Sequence, residues 1–95
     1  MTWFTVDTRY VDDLDRLNAV RPAHRDYLRP MVEAGNVLAA GPWADGTGGF
    51  VILRAADRAE LDELLAVDPY TLENVAASRV IREWNVVMGT PAALD

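Results

Sequence analysis

The 95-residue chain contains no cysteine and no lysine, and only one serine and one histidine. Without thiols it has no disulfide, no thiolate nucleophile and no thiolate metal site. Without lysine it has no side-chain amine for a Schiff base. A single imidazole does not build a multi-histidine metal centre, so neither metal nor cofactor is expected. Basic charge is scarce too: nine arginines face fifteen acidic residues, for a net charge of −6. Phosphate backbones repel such a surface, and no basic stripe offsets it, so nucleic acid is excluded as an expected partner. The longest charge-free stretches, such as AGNVLAAGPWA, are about half the ~20 residues that a bilayer crossing needs. No positively charged start precedes an apolar core, and the chain is therefore expected in the cytoplasm, away from membranes.

About half the residues are apolar and a quarter charged, the balance of a globular domain. The length suggests one domain over 1–95, with 91–95 (PAALD) as a loose tail. The start, MTWFTVDTRYV, alternates: Phe4, Val6, Thr8 and Tyr10 share one face, and Trp3, Thr5, Asp7 and Arg9 the other. That is a strand pattern. VDDLDRLNAV reads as a loop or a short irregular helix. Pro22 suits the first turn of a helix over about 21–35, which Gly35-Asn36 stops. Pro30 deprives that helix of one hydrogen bond, to the Asp26 carbonyl, and predicts a kink. VLAAGPW and FVILR read as buried strands joined by a hairpin around Pro42–Gly48. Asp57 and Glu60 have capping-box spacing before the Leu61, Leu64, Leu65 stripe, a helix over roughly 57–67 that Pro69 ends. PYTLENVA allows a further helical turn, and SRVIREWNVVMG is a final strand. The order β-α-β-β-α-β predicts an α+β, ferredoxin-like fold: an antiparallel sheet with helices on one face.

The acid–base candidates reduce to His24, the carboxylates and the tyrosines. His24 in a first helical turn would sit in the positive end of the helix dipole, which favours neutral imidazole and suits a base. Alternatively it is a half-buried ring on apolar neighbours. Asp68 before Pro69 reads as an N-cap. That role is compatible with a second one, orienting an imidazole and stabilising its protonated form, an effect expected to outweigh the helix dipole. Tyr70 offers a hydroxyl to a ligand oxygen or simply packs with its tip wet. Arg21 at the helix mouth is placed to meet an anionic group, whereas Arg25 and Arg29 read as solvated faces. Gly41-Pro42, with Gly46, Gly48 and Gly49, allows close backbone approach to a ligand, or serves tight hairpin geometry. These glycines lack the phosphate-loop pattern. Trp3, Trp43 and Trp84 are candidates for core, an interface or an aromatic pocket.

RPAH at the first helix, AAGP on the second strand, GGF after it and DPY after the second helix occur in an order that resembles the YCII-related family (YciI-like proteins). The resemblance spans Trp3 to about Met88. It implies a ferredoxin-like fold, usually homodimeric and similar to dimeric α/β barrels and muconolactone isomerase, with a cleft holding a His–Asp pair. In this chain that pair is His24 and Asp68. One branch of the family performs dehydrochlorination of chlorinated aromatics. Pro30 departs from the family's usual helix. The expectation is a small-molecule enzyme of lyase, isomerase or dehydrochlorinase type, acting on a small oxygenated cyclic or aromatic substrate. His24 and Asp68 would be catalytic, and Arg21, Tyr70, Gly41 and Pro42 would bind substrate. The alternative is a non-catalytic metabolite-binding or accessory dimeric domain.

Overall fold

The computed structural model describes residues 1–89, so the expected tail at 91–95 lies outside the described residues. The elements are β1 (Thr2–Tyr10), α1 (Leu14–Glu33), β2 (Val37–Pro42), β3 (Gly48–Ala55), α2 (Arg58–Ala66), α3 (Pro69–Leu72) and β4 (Ala76–Trp84). The four strands form one antiparallel sheet in the order β2-β3-β1-β4. The helices cover one face, as a ferredoxin-like order requires. No helix among the described residues is long and apolar enough to cross a membrane.

The alternation read in β1 sets the two faces. Phe4, Val6 and Thr8 are buried beneath the helices. Their cross-strand partners Leu53, Val51 and Gly49 on β3, and Glu83, Ile81 and Arg79 on β4, share that side. Phe4, Val6, Val37, Leu53, Ala55 and Leu61 make the main core, with Leu28, Met31 and Leu65 packed against it. Leu17, Tyr70 and Val75 make a smaller cluster that also touches Tyr10 and Val20.

The first helix differs from expectation. It begins at Leu14, not near Pro22, because Asp13 caps it by accepting from the Arg16 amide at 3.1 Å. From Leu17 the stripe Leu17, Arg21, His24, Leu28, Met31 keeps one face toward the sheet, so packing carries the helix through both prolines. Pro22 and Pro30 lack the N–H that would reach the Asn18 and Asp26 carbonyls. All four residues are exposed, so what the prolines leave open lies on the solvent side of the helix. The stop at Gly35-Asn36 is where it was read. Gly35 has φ +83°, its N–H donates to Val32 O, and Asn36 N–H donates to Met31 O. This paired arrangement closes the helix end with a left-handed residue. In α2, Asp57 accepts from the Glu60 amide while the Glu60 carboxylate accepts from the Ala56 amide, a capping box shifted by one residue.

Leu61 joins α2 to the sheet and is fully buried. Leu61→Ala is expected to cost about 2–5 kcal/mol of stability, read as a lower urea midpoint. A loss below about 1 kcal/mol would show that this helix is not seated as described.

Candidate active site

A cavity of about 410 Å³ opens between α1 and the sheet, within the usual size range for small-molecule sites. It lies where the two apolar clusters meet. Val6, Leu28, Val51, Leu53 and Leu65 line it from one side, and Tyr10 and Tyr70 from the other.

His24 projects into it from the middle of α1 and Asp68 from the start of α3. The His24 Nδ1–Asp68 Oδ1 distance is 2.8 Å. The placement of His24 corrects one expectation. Ten residues from the helix start, at about 1.5 Å per residue, the ring lies well beyond the first turn, where the dipole effect falls off. Its neighbours therefore act on it, and the helix end does not. The Tyr70 ring stacks on the imidazole, with centroids 3.8 Å apart and planes 5° apart.

Asp68 is 3% exposed. Oδ1 also accepts from the Tyr70 amide at 2.9 Å, so the expected capping role and contact with His24 coexist on one oxygen. Oδ2 accepts from Arg79 Nη2 at 3.2 Å. Arg79 donates as well to the hydroxyls of Thr8 and Thr71, and Thr71 in turn donates to Leu65 O. Burial pulls the Arg79 guanidinium below its ordinary value, while the charge of Asp68 opposes that shift. Every contact of the carboxylate is with a donor. Nδ1 of His24 therefore carries the proton toward Asp68, and Nε2 is the ring nitrogen that the carboxylate does not engage. Tyr27 adds a clamp by donating to Leu64 O at 2.7 Å. Burial first, then the charge of Asp68, raises its phenol above the ordinary value.

All six expected site residues line this cavity: His24, Asp68, Arg21, Tyr70, Gly41 and Pro42. Arg21 donates from Nε to Tyr70 Oη at 3.4 Å. Arg25 and Arg29, read as solvated, are exposed but also reach its rim. Gly46, at φ +74°, serves the hairpin turn. Gly48 and Gly49 are small for a different reason. A Cβ on Gly48 would meet Thr8 O at 2.1 Å, and one on Gly49 would meet Tyr10 Oη at 2.6 Å. Trp43 and Trp84 do not line the cavity, and Trp3 is buried on the opposite face of the sheet, beside Arg54.

Sequence reasoning missed Arg79 and Tyr10. Arg79 alternates with Ile81 on the inward side of β4, and an inward arginine on a strand demands a buried counter-charge. Tyr10 sits on the inward face already read for β1.

An antiparallel ferredoxin-like sheet with an imidazole–carboxylate pair beneath its helices defines the class of protein. The pattern of the YCII-related domain matches residues 1–85, and the chain belongs to that family. It is 32% identical over 79 residues to an Emericella nidulans protein named derivative of benzaldehyde biosynthesis cluster protein C, covering 72% of this chain and 81% of that one. Among solved structures it resembles 5-chloro-2-hydroxyhydroquinone dehydrochlorinase (TftG) from Burkholderia phenoliruptrix, in complex with 2,5-dihydroxybenzoquinone. There the TM-score is 0.79 and the identity 22%, over 87% of this chain and 93% of that one. An antibiotic biosynthesis monooxygenase matches at TM-score 0.58 and 16% identity, over 93% and 100% of the two chains. Rv0793 from Mycobacterium tuberculosis matches at 0.56 and 16%, over 93% and 98%. At these identities the structural likeness is one of fold.

Asp68→Ala strands Arg79 with no carboxylate beside it in a buried setting. It is expected to cost about 3–5 kcal/mol in chemical denaturation. Asp68→Asn, which keeps an oxygen for the Tyr70 amide, is expected to cost less. Equal and small losses for both would show that the Asp68–Arg79 pair contributes little.

Proposed function

We propose that the protein is a cofactor-independent enzyme that moves a proton on a small oxygenated ring, with His24 as general base or acid and Asp68 as its orienting partner. The observation that carries this reading is the 2.8 Å contact between His24 and a carboxylate 3% exposed, at the wall of a cavity. Nε2 takes a proton from a substrate carbon, and the electron pair moves onto a ring oxygen as an enolate or phenolate. A leaving group then departs, or the proton returns at another carbon. These are the lyase or dehydrochlorinase outcome and the isomerase outcome of one first step.

The cavity supports a planar substrate. Its walls include Leu28, Leu53 and Leu65, with the backbone of Gly41-Pro42 at the edge. Arg21 and the Tyr70 hydroxyl supply polar contacts. TftG is named for action on a chlorinated hydroxyhydroquinone, and the Emericella relative for a benzaldehyde-derivative cluster. Both names agree with an oxygenated aromatic ring.

The working form in this proposal is a homodimer. The helix-free face of the sheet presents Trp43, Val80 and Trp84, which are 45%, 60% and 40% exposed, beside Phe50 and Ile52. Such a patch is what a second copy would cover.

The test uses chlorinated and unchlorinated hydroxyhydroquinones, with chloride release and ring absorbance as readouts. Wild-type protein is expected to turn over at least one of them, and His24→Ala to lose about a hundredfold or more with its fold intact. Unchanged turnover in His24→Ala would remove the proposed base. Binding by wild type with no conversion would favour a metabolite-binding domain. Separately, Val80→Asp is expected to shift sedimentation from dimer to monomer. A wild type that sediments as a monomer at every concentration would end the dimer proposal.

A further inference from the structure

We propose that Tyr10, Tyr70 and Arg21 form an oxyanion site that holds the ionised ring oxygen of the substrate, phenolate or enolate, while His24 handles the proton. The proposal rests on the reading of His24 as base and adds the charge state of the ligand and one new residue, Tyr10.

Hydrogen-bond arithmetic carries it. A guanidinium only donates. When Arg21 Nε donates to Tyr70 Oη, the Tyr70 oxygen is the acceptor and its own proton turns elsewhere. The Tyr10 and Tyr70 rings meet edge to face at 5.5 Å, and both phenols line the cavity beside Arg21. One phenol can spend its proton on the other. That leaves a phenol proton and further guanidinium protons at the cavity wall. Among the described residues no carboxylate or carbonyl accepts from either hydroxyl. Asp68, the carboxylate lining the cavity, is already taken by His24, Arg79 and the Tyr70 amide. The cluster is a set of donors short of an acceptor, and an oxyanion is the ligand group that supplies one.

The charge states agree with that role. Burial, then repulsion from Tyr70, lifts the Tyr10 phenol above its ordinary value, so it stays a donor. The contact with Tyr70 lifts Arg21 as well and keeps it charged. The sequence makes room for this cluster. A glycine inside a strand weakens it, yet β3 carries Gly49 at the position where any Cβ would lie 2.6 Å from Tyr10 Oη. Tyr70 stacks on His24, so oxyanion donors and base border the same stretch of the cavity.

The experiment measures binding of two probes by equilibrium titration. These are 4-nitrophenolate, followed by its absorbance, and 4-nitrotoluene, which has a similar shape and no ionisable oxygen. Wild type is expected to prefer the phenolate and to make the bound dye ionise at lower pH than the free dye. Tyr10→Phe and Tyr70→Phe are each expected to weaken phenolate binding about tenfold or more, the worth of a hydrogen bond to a charged group, with nitrotoluene binding nearly unchanged. Gly49→Ala, which displaces the Tyr10 hydroxyl, is expected to show the same selective loss. Equal losses for both probes, unchanged phenolate binding in Tyr10→Phe, or no phenolate preference in wild type would overturn the assignment. His24→Ala separates the two ideas, because it is expected to keep the phenolate preference while losing turnover. Retained turnover with retained preference would remove the base and leave the oxyanion site standing.

Discussion

Burying the carboxylate of Asp68 takes a charge out of water at a cost of several kcal/mol. Donors from three directions offset it: the His24 ring from α1, the Arg79 guanidinium from β4 and the Tyr70 amide from the first turn of α3. These elements come from both halves of the chain. The carboxylate therefore fixes how α1, α3 and the sheet edge meet, and the cavity exists because they meet at that angle. Arg79 is tied in turn to Thr8 on β1, which extends the network across to the strand that separates β3 from β4. The site is a structural joint as much as a chemical one.

Much of the fold was legible because its signals are local. Strand alternation in MTWFTVDTRY, the Asp57–Glu60 box and the Gly35-Asn36 stop each name their own structure, and each is found there. Pro22 misled because proline at a helix start is common, while its use here depends on tertiary packing. The stripe Leu17, Arg21, His24, Leu28, Met31 faces the sheet and outweighs one absent hydrogen bond. The His24–Asp68 contact was legible only through family resemblance, since no local rule joins residues forty-four positions apart. Arg79 and Tyr10 were hidden for a related reason. Their roles depend on which groups lie opposite them across the sheet, and register is a property of paired strands.

Along β1 the inward face changes character in one direction. Phe4 and Val6 belong to the main core, Thr8 meets Arg79, and Tyr10 meets Tyr70. The change from hydrocarbon to hydroxyl marks where the cavity wall turns from apolar to polar. On β3 the partners of these residues pass from Leu53 and Val51 to Gly49. The side chains shrink where the phenol of Tyr10 crosses over. Two neighbouring strands thus trade volume, and the space lost on one is filled by a hydroxyl from the other.

The proposed base and the cation beside it both ride on α1. Arg21 and His24 are three residues apart, which sets them on one face about 5–6 Å from each other between Cβ atoms. That is the scale of a six-membered ring with its oxygen substituent. A rotation of α1 by one residue, about 100°, would carry both away from the sheet together, so their relative geometry is secured by securing the helix. Asp13 holds one end and Gly35-Asn36 the other, while Leu17, Leu28 and Met31 bury the inward stripe. The two prolines sit on the exposed side, where they rob no inward group of its hydrogen bond. Their fixed φ then restricts the unfolded chain more than the folded one, and a long helix carrying the His24 imidazole at its midpoint is held by its packing and not by unbroken backbone bonding.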